Sequence, residues 1–310
     1  MDVFDDSAFS LPQIKSYSLA WAGNAAGTVS LDVLHLDALH SHISGNKWYK
    51  LKHQLYEAKQ KGHVKLLGMG GAYSNHLHAL AYVGNRFGFE TRGLVRGERP
   101  EKPENLSPTL QDCAKWGMQL EWLSREDYRA LAPFAKQPVL KAAYPNYYVL
   151  SEGGESTLAL KGLRDVFSQA FRHSDYDFAI TGVGTGTTLA GLYLAAPSQC
   201  QVKGVSALKG ANDLCARIMS LLKSNGHGPY DFQIWHNYHF GGFAKLPVAL
   251  QDFVRLVYES CGLKLDPVYT AKAFYALLDK LSAGEVPEGS RVLFVHTGGM
   301  QGWRGFNAPF

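Results

Sequence analysis

The chain has 310 residues, 46% of them hydrophobic and 19% charged, which excludes a generally disordered protein and makes two domains the expectation from length. Its 31 Lys and Arg against 27 Asp and Glu leave a net charge of +4 with no basic run, so no nucleic-acid partner is expected, and no apolar stretch approaches the roughly 18 residues of a membrane span. An N-terminus that is acidic where an export signal must be basic, and four scattered cysteines (Cys113, Cys200, Cys215, Cys261) without a Cys-x-x-Cys pair, predict a cytoplasmic protein with reduced thiols and neither a disulfide frame nor a zinc site.

The first 30 residues carry no strong pattern. Residues 31–36 read as a strand. Trp48, Leu51, Leu55 and Ala58 then share one face of a helix that ends at Lys61-Gly62. Further strands are predicted at 64–69, 91–95, 118–123, 147–150, 178–181, 202–206, 232–235 and 291–296. Ser124 to Asp127 resembles a capping box, and Leu250, Phe253, Val254, Val257 and Cys261 share a helix face stopped by Gly262. Strand–helix alternation of this kind predicts mainly parallel sheets with helices on both faces, a three-layer α/β arrangement. Residues 135–146, with Pro138 and Pro145 and no clear periodicity, are the expected linker. The predicted division is a larger unit of residues 1–47 with 146–310 and a smaller one of 48–145.

Ligands of open α/β sheets bind beyond the carboxyl ends of the strands, and four such ends carry unusual residues. Gly184, Thr185, Gly186, Thr187 and Thr188 lie between a strand and a helical run, where close backbone approach and helix-start amides suit a phosphate. No Lys follows as in a Walker loop, and Ser206 stands where a dinucleotide fingerprint needs an acid, so a phosphate monoester is expected. The second end, residues 68–76, offers Ser74 as an N-cap with Asn75 and His76 beside it, a set suited to a small carboxylate or to capping alone. In the third, Lys47 follows Gly45-Asn46. It reads either as a solvated lysine among Lys50 and Lys52 or as a Schiff-base lysine made nucleophilic by burial. The fourth pairs Asp266-Pro267-Val268-Tyr269-Thr270 with His296-Thr297-Gly298-Gly299. There Thr270 is the expected cap of the next helix, and Tyr269 is either a staple onto Phe274 or a site residue. No metal is expected: His40 and His42 alternate as ligands on a strand would, but of the strand ends that follow, His296 alone supplies a ligand.

Ser-Gly-Asn-Lys, Gly-Gly-Ala-Tyr-Ser-Asn-His, Gly-Val-Gly-Thr-Gly-Thr-Thr, Asp-Pro-Val-Tyr and His-Thr-Gly-Gly occur in this order over residues 31–299. Together they resemble the 1-aminocyclopropane-1-carboxylate deaminase / D-cysteine desulfhydrase family, pyridoxal 5'-phosphate enzymes with the tryptophan-synthase-β-like fold (fold type II). The resemblance implies that Lys47 bonds to the cofactor and that Ser74 and Asn75 hold the substrate carboxylate, with Ser74 also active in proton transfer. It implies that residues 184–188 hold the phosphate and that Asn75 lies near the cofactor's phenolic oxygen. Tyr269 would approach the substrate, Thr297 would sit near the pyridine nitrogen, and the protein would be a homodimer acting on a small amino acid.

Two residues depart from the family pattern. Thr270 replaces an acid that reaches the pyridine nitrogen in the deaminases, and Phe243 stands where a second tyrosine is usual, with Tyr238 nearby as a possible substitute. Both favour β-elimination, as from D-cysteine, over ring opening, because a weaker electron sink suffices when the leaving group is good. The rival readings are 1-aminocyclopropane-1-carboxylate deamination, a phosphate-ligand binding protein without catalysis, and a metallohydrolase.

Overall fold

The computed structural model describes residues 9–43, 45–132, 136–172, 174–228 and 230–306. In chain order the first part of the chain forms β1 (Gln13–Tyr17), α1 (Asn24–Gly27), β2 (Ser30–His35), α2 (Lys47–Gln60), β3 (Lys65–Gly70), α3 (Asn75–Phe87) and β4 (Glu90–Arg96). Next come α4 (Pro108–Lys115), β5 (Gln119–Leu123), α5 (Arg125–Leu131), α6 (Gln137–Ala143), β6 (Tyr148–Val149) and α7 (Thr157–Ala170). The remainder is β7 (Phe178–Val183), α8 (Thr187–Ala195), β8 (Gln201–Ser206), α9 (Leu214–Lys223), β9 (Phe232–Trp235), α10 (Val248–Cys261), α11 (Thr270–Ser282) and β10 (Arg291–His296).

The strands form two sheets, one in the order β1-β2-β10-β7-β8-β9 and one in the order β5-β4-β3-β6. Every pairing is parallel except β1 with β2. Strand alternation divides the larger core in two: Val292 and Phe294 of β10 face the cluster containing α10 and α11, while Leu293 and Val295 face that of α7, α8 and α9. The smaller sheet does the same. Leu66 packs towards α2, α3 and α4, and Leu67 and Met69 towards α5 and α6. Each sheet is therefore buried on both faces, which is why its strands read as apolar runs.

The strands expected between residues 31 and 296 are all present, and Ser124 caps α5, its hydroxyl accepting from Asp127 N at 3.0 Å. The elements that were not foreseen are α1, within the first 30 residues, β1 and α6. β1 is an edge strand with four of its five residues exposed, so its position depends on backbone pairing with β2 and not on an apolar alternation. α6 occupies the expected linker. Pro138 falls in its first turn, where a missing N–H costs nothing, and Leu140 is its one buried residue, too few to make a period. β6 pairs with β3, so residues beyond the 145/146 boundary still belong to the four-stranded sheet. Ser44 and Ala135 lie outside the described residues. No helix among the described residues is long and apolar enough to cross a membrane.

Candidate active site

The chain leaves β2 at His35 and reaches Lys47 through a loop pinned to the end of β10. Leu36 N donates to His296 O (3.1 Å), Gly45 N to Leu36 O (2.9 Å) and Asn46 N to Thr297 O (3.1 Å). Only glycine fits at position 45: φ is +82°, and a Cβ there would overlap the Thr297 carbonyl. Lys47 opens α2, and its Nζ donates to Asn46 Oδ1 at 2.9 Å. The other end of that carboxamide, Asn46 Nδ2, donates to Thr188 Oγ1 at 2.8 Å. Burial lowers the Lys47 pKa to about 8, against an upward pull from the Asp266 carboxylate. About a tenth of this amine is therefore uncharged at pH 7, far more than of an ordinary lysine, and that fraction is the nucleophile.

Ser74 is the N-cap of α3, as expected, accepting from Leu77 N at 3.2 Å, which leaves the hydroxyl's own proton available to donate. Asn75 Oδ1 accepts from Gln301 Nε2 at 2.5 Å, so the carboxamide turns its Nδ2 towards Gly299, where a Cβ would stand only 2.9 Å away. Both side chains are partly exposed, whereas His76 is buried. Neither His76 ring nitrogen has a hydrogen-bond partner among the described residues. Burial, then the Lys47 and Lys50 ammonium groups, push the His76 pKa down to about 3, so the ring is neutral and brings no positive charge to a carboxylate.

Residues 184–186 connect β7 to α8. Gly186, at φ +98°, leads into the helix, and a Cβ on it would collide with Ile218. Thr187 and Thr188 are buried at the first turn of α8, where amides lack intrahelical partners. Thr185 Oγ1 stands 3.3 Å from Thr187 Oγ1. Gly153 borders this cup, since a Cβ there would lie 2.8 Å from Thr185 Cγ2. Lys50 Nζ donates to the Gly153 carbonyl at 3.3 Å. Lys50 is 3% exposed, so it is not the solvated lysine its neighbours in sequence suggest. Burial, then the charge of Lys47, hold its pKa well below the ordinary lysine value.

Asp266, fully buried, caps α11 in place of the expected Thr270. Its carboxylate accepts from Val268 N (2.9 Å), Tyr269 N (3.1 Å), Thr270 N (2.6 Å) and Thr270 Oγ1 (2.7 Å). One carboxylate thus satisfies three amides that a single hydroxyl could not. The Thr270 hydroxyl is spent on Asp266. Tyr269 turns its ring to Gly184, where a Cβ would lie 3.1 Å from the phenol oxygen, and to Phe243, with ring centroids 5.9 Å apart. Burial, then the negative charges of Asp266 and Glu152, raise its pKa, so it is a phenol and a proton donor at neutral pH. The Tyr238 hydroxyl is engaged elsewhere, donating to Asp279 Oδ2 at 2.5 Å.

The fold thus gathers Lys47, Asn75, residues 184–188, Tyr269 and Thr297 around one locus, with Ser74 adjoining Asn75. Sequence reasoning missed Asn46, Lys50, Asp266 and Gln301. The motif context held a signal for Asn46 and Asp266, but none marked Gln301, which acts from a turn 226 positions away from Asn75. His40 and His42 lie in a bend and pack on Tyr82, and no three His, Cys, Asp or Glu side chains among the described residues converge as metal ligands.

A sequence profile described as pyridoxal-phosphate dependent enzyme matches residues 19–298. A protein of Thermotoga maritima provisionally named 1-aminocyclopropane-1-carboxylate deaminase is 29% identical over 273 residues, covering 84% of this chain and 85% of that one. The mitochondrial bifunctional D-cysteine desulfhydrase/1-aminocyclopropane-1-carboxylate deaminase of Arabidopsis thaliana is 27% identical over 279 residues, 84% of this chain and 70% of that one. A crystal structure of a homologue of 1-aminocyclopropane-1-carboxylate deaminase superposes with a TM-score of 0.81 at 24% identity, covering 96% of this chain and 91% of that one, a likeness of fold. The site fits the cofactor named by the profile. An uncharged amine can condense with its aldehyde, the amides and hydroxyls of residues 184–188 can take its phosphate, and Lys50 brings a second amine to that end. With the profile spanning nearly the whole chain and the donor set matching its cofactor, this chain belongs to the pyridoxal-phosphate dependent enzymes.

Proposed function

We propose that this enzyme is a lyase that releases ammonia and a 2-oxo acid from a small amino acid, with β-elimination of the D-cysteine type preferred and 1-aminocyclopropane-1-carboxylate deamination as the alternative. Lys47, Asn75, Gly184, Thr185, Gly186, Thr187, Thr188 and Thr297 hold the cofactor, and Ser74 and Asn75 anchor the substrate carboxylate. When bound, the cofactor supplies an electron sink beside the substrate's α-carbon. Lys47 Nζ, released when the substrate amine takes its place, would take the α-proton, and Asn46, which accepts from it, also donates to Thr188 of the cup. Tyr269, kept protonated, donates towards the departing group.

The observation that carries the preference is the surroundings of Tyr269. Its aromatic neighbour is Phe243, which has no proton to give, and Tyr238 is bound to Asp279. The hydroxyl of Thr270 is spent on Asp266. A substrate without an α-proton needs a nucleophile or proton delivered to its ring, and one phenol must then do both tasks. Elimination asks less of the same residues. Under one set of conditions, kcat/KM for D-cysteine and β-chloro-alanine is expected to exceed that for 1-aminocyclopropane-1-carboxylate by at least about a hundredfold, the contribution of one missing acid–base group at its low end. A cyclopropane substrate that turns over best would reverse the order of the two readings.

Cofactor capture by the cofactor-free protein should accelerate with rising pH through a midpoint near 8, because the attacking form is the uncharged amine. Stopped-flow absorbance measures it, and a midpoint at the value of an ordinary lysine would contradict the desolvation of Lys47. We also infer a cytoplasmic homodimer, consistent with four free cysteines and the family resemblance. The proposed units are residues 1–47 with the C-terminal part and 48–145, extended to β6 by its pairing with β3.

A further inference from the structure

The segment between β9 and α10 runs along a single stripe of α11 towards the site. Tyr238 OH donates to Asp279 Oδ2 at 2.5 Å, and the Phe240 ring packs edge-on against Tyr275 with centroids 5.0 Å apart. Lys272 Nζ donates to Gly242 O at 2.7 Å, and Phe243 meets Tyr269. The helix-side partners step back by four, three and three residues, the spacing of one helical face. Phe240 (φ 51°) and Ala244 (φ 54°) are the non-glycine residues with positive φ among the described residues, and they bracket Gly241 and Gly242. Such backbone persists only where surrounding contacts over-determine it.

Lys272 is the costly member of this row. Its side chain is fully buried and its amine is spent on a backbone carbonyl. Desolvation lowers its pKa to about 8, with Asp266 pulling the other way. A methionine would fill the same space without that cost. Gly242 O also accepts from Lys245 N at 3.2 Å, so the carbonyl would not be orphaned without the lysine. Stability of the fold therefore does not account for the lysine. The position of the segment does, because the residue after Gly242 is Phe243, 43% exposed and edge-on to the Tyr269 ring.

We propose that Lys272 is a positioning residue, a latch that holds residues 240–244 on α11 so that Phe243 stands as a fixed wall over Tyr269 and limits the side chain of the substrate. The substrate half of this inference rests on the amino-acid reading above. The latch half does not.

The test compares the loaded enzyme with Lys272→Met, Phe243→Ala and the double variant. In Lys272→Met, amide hydrogen exchange in residues 240–245 should rise roughly tenfold, the effect of losing one buried hydrogen bond to a charged donor, while Tm stays level or increases. The visible band of the bound cofactor should not shift. KM for the small β-substituted amino acid should rise roughly five- to tenfold in Lys272→Met and in Phe243→Ala, with kcat changing less than about twofold, and the double variant should add nothing further. Unchanged exchange overturns the latch, whatever the substrate screen gives. Raised exchange with unchanged KM, or additive effects of the two substitutions, overturns the role in selection. Should Lys272→Met fail to fold, the lysine serves stability and the latch is overturned; Phe243→Ala, which must raise KM while leaving loop exchange slow, then judges the wall alone. If no amino acid yields ammonia, the proposed function fails, and the exchange result alone judges the latch.

Discussion

Replacing Lys47 by alanine is expected to lower turnover by about 10³-fold or more, because it removes both the amine that holds the cofactor and the base that takes the α-proton. The fold should survive. Lys47 is partly exposed at a helix start, its hydrogen-bond partner is Asn46, and alanine is the better helix former. Borohydride fixation followed by peptide mapping checks the assignment: the label should sit on residue 47 of the unaltered enzyme and disappear in the variant. Lys50 is the serious competitor, since it is buried and its pKa is also depressed. The geometry separates the two. Lys47 is tied through Asn46 to Thr188, whereas Lys50 points beneath the carbonyl of Gly153. A label on Lys50 or Lys52 would overturn the assignment.

Asp266→Ala should be the most destabilising single change at the site, by roughly 3–4 kcal/mol, the range for breaking a buried charged hydrogen-bond network. Three backbone amides and the Thr270 hydroxyl lose their acceptor at once, with no water route to a fully buried position. Tyr269 sits on this turn, so activity should fall with stability. Asp266→Asn keeps one acceptor oxygen and should lie between. Chemical denaturation of the cofactor-free proteins measures the effect, and a loss below about 1 kcal/mol, the scale of one ordinary hydrogen bond, would show that the turn holds itself.

Local chemistry was legible in the amino-acid sequence. The apolar runs of β3, β7, β8 and β10 announce strands buried on both faces, and Ser74 and Gly262 mark helix ends where the structure has them. The ordered motifs, through the family they resemble, marked Lys47, residues 184–188, Tyr269 and Thr297, although read singly Lys47 could be a solvated lysine and Tyr269 a staple. Other features depended on which segments meet in space. β1 is polar and is held by backbone pairing, and α6 buries too little to show a period. Lys50 and Lys272 look like surface lysines until α2 packs against residues 152–154 and α11 against the segment after β9. Thr270 seemed the cap of α11 until Asp266 took that role, and Gln301 reaches Asn75 only after β10 has paired with β2. Periodicity and motif are properties of neighbours along the chain, whereas burial of a charge and the partner of a carboxamide are set by distant residues that only tertiary packing brings together.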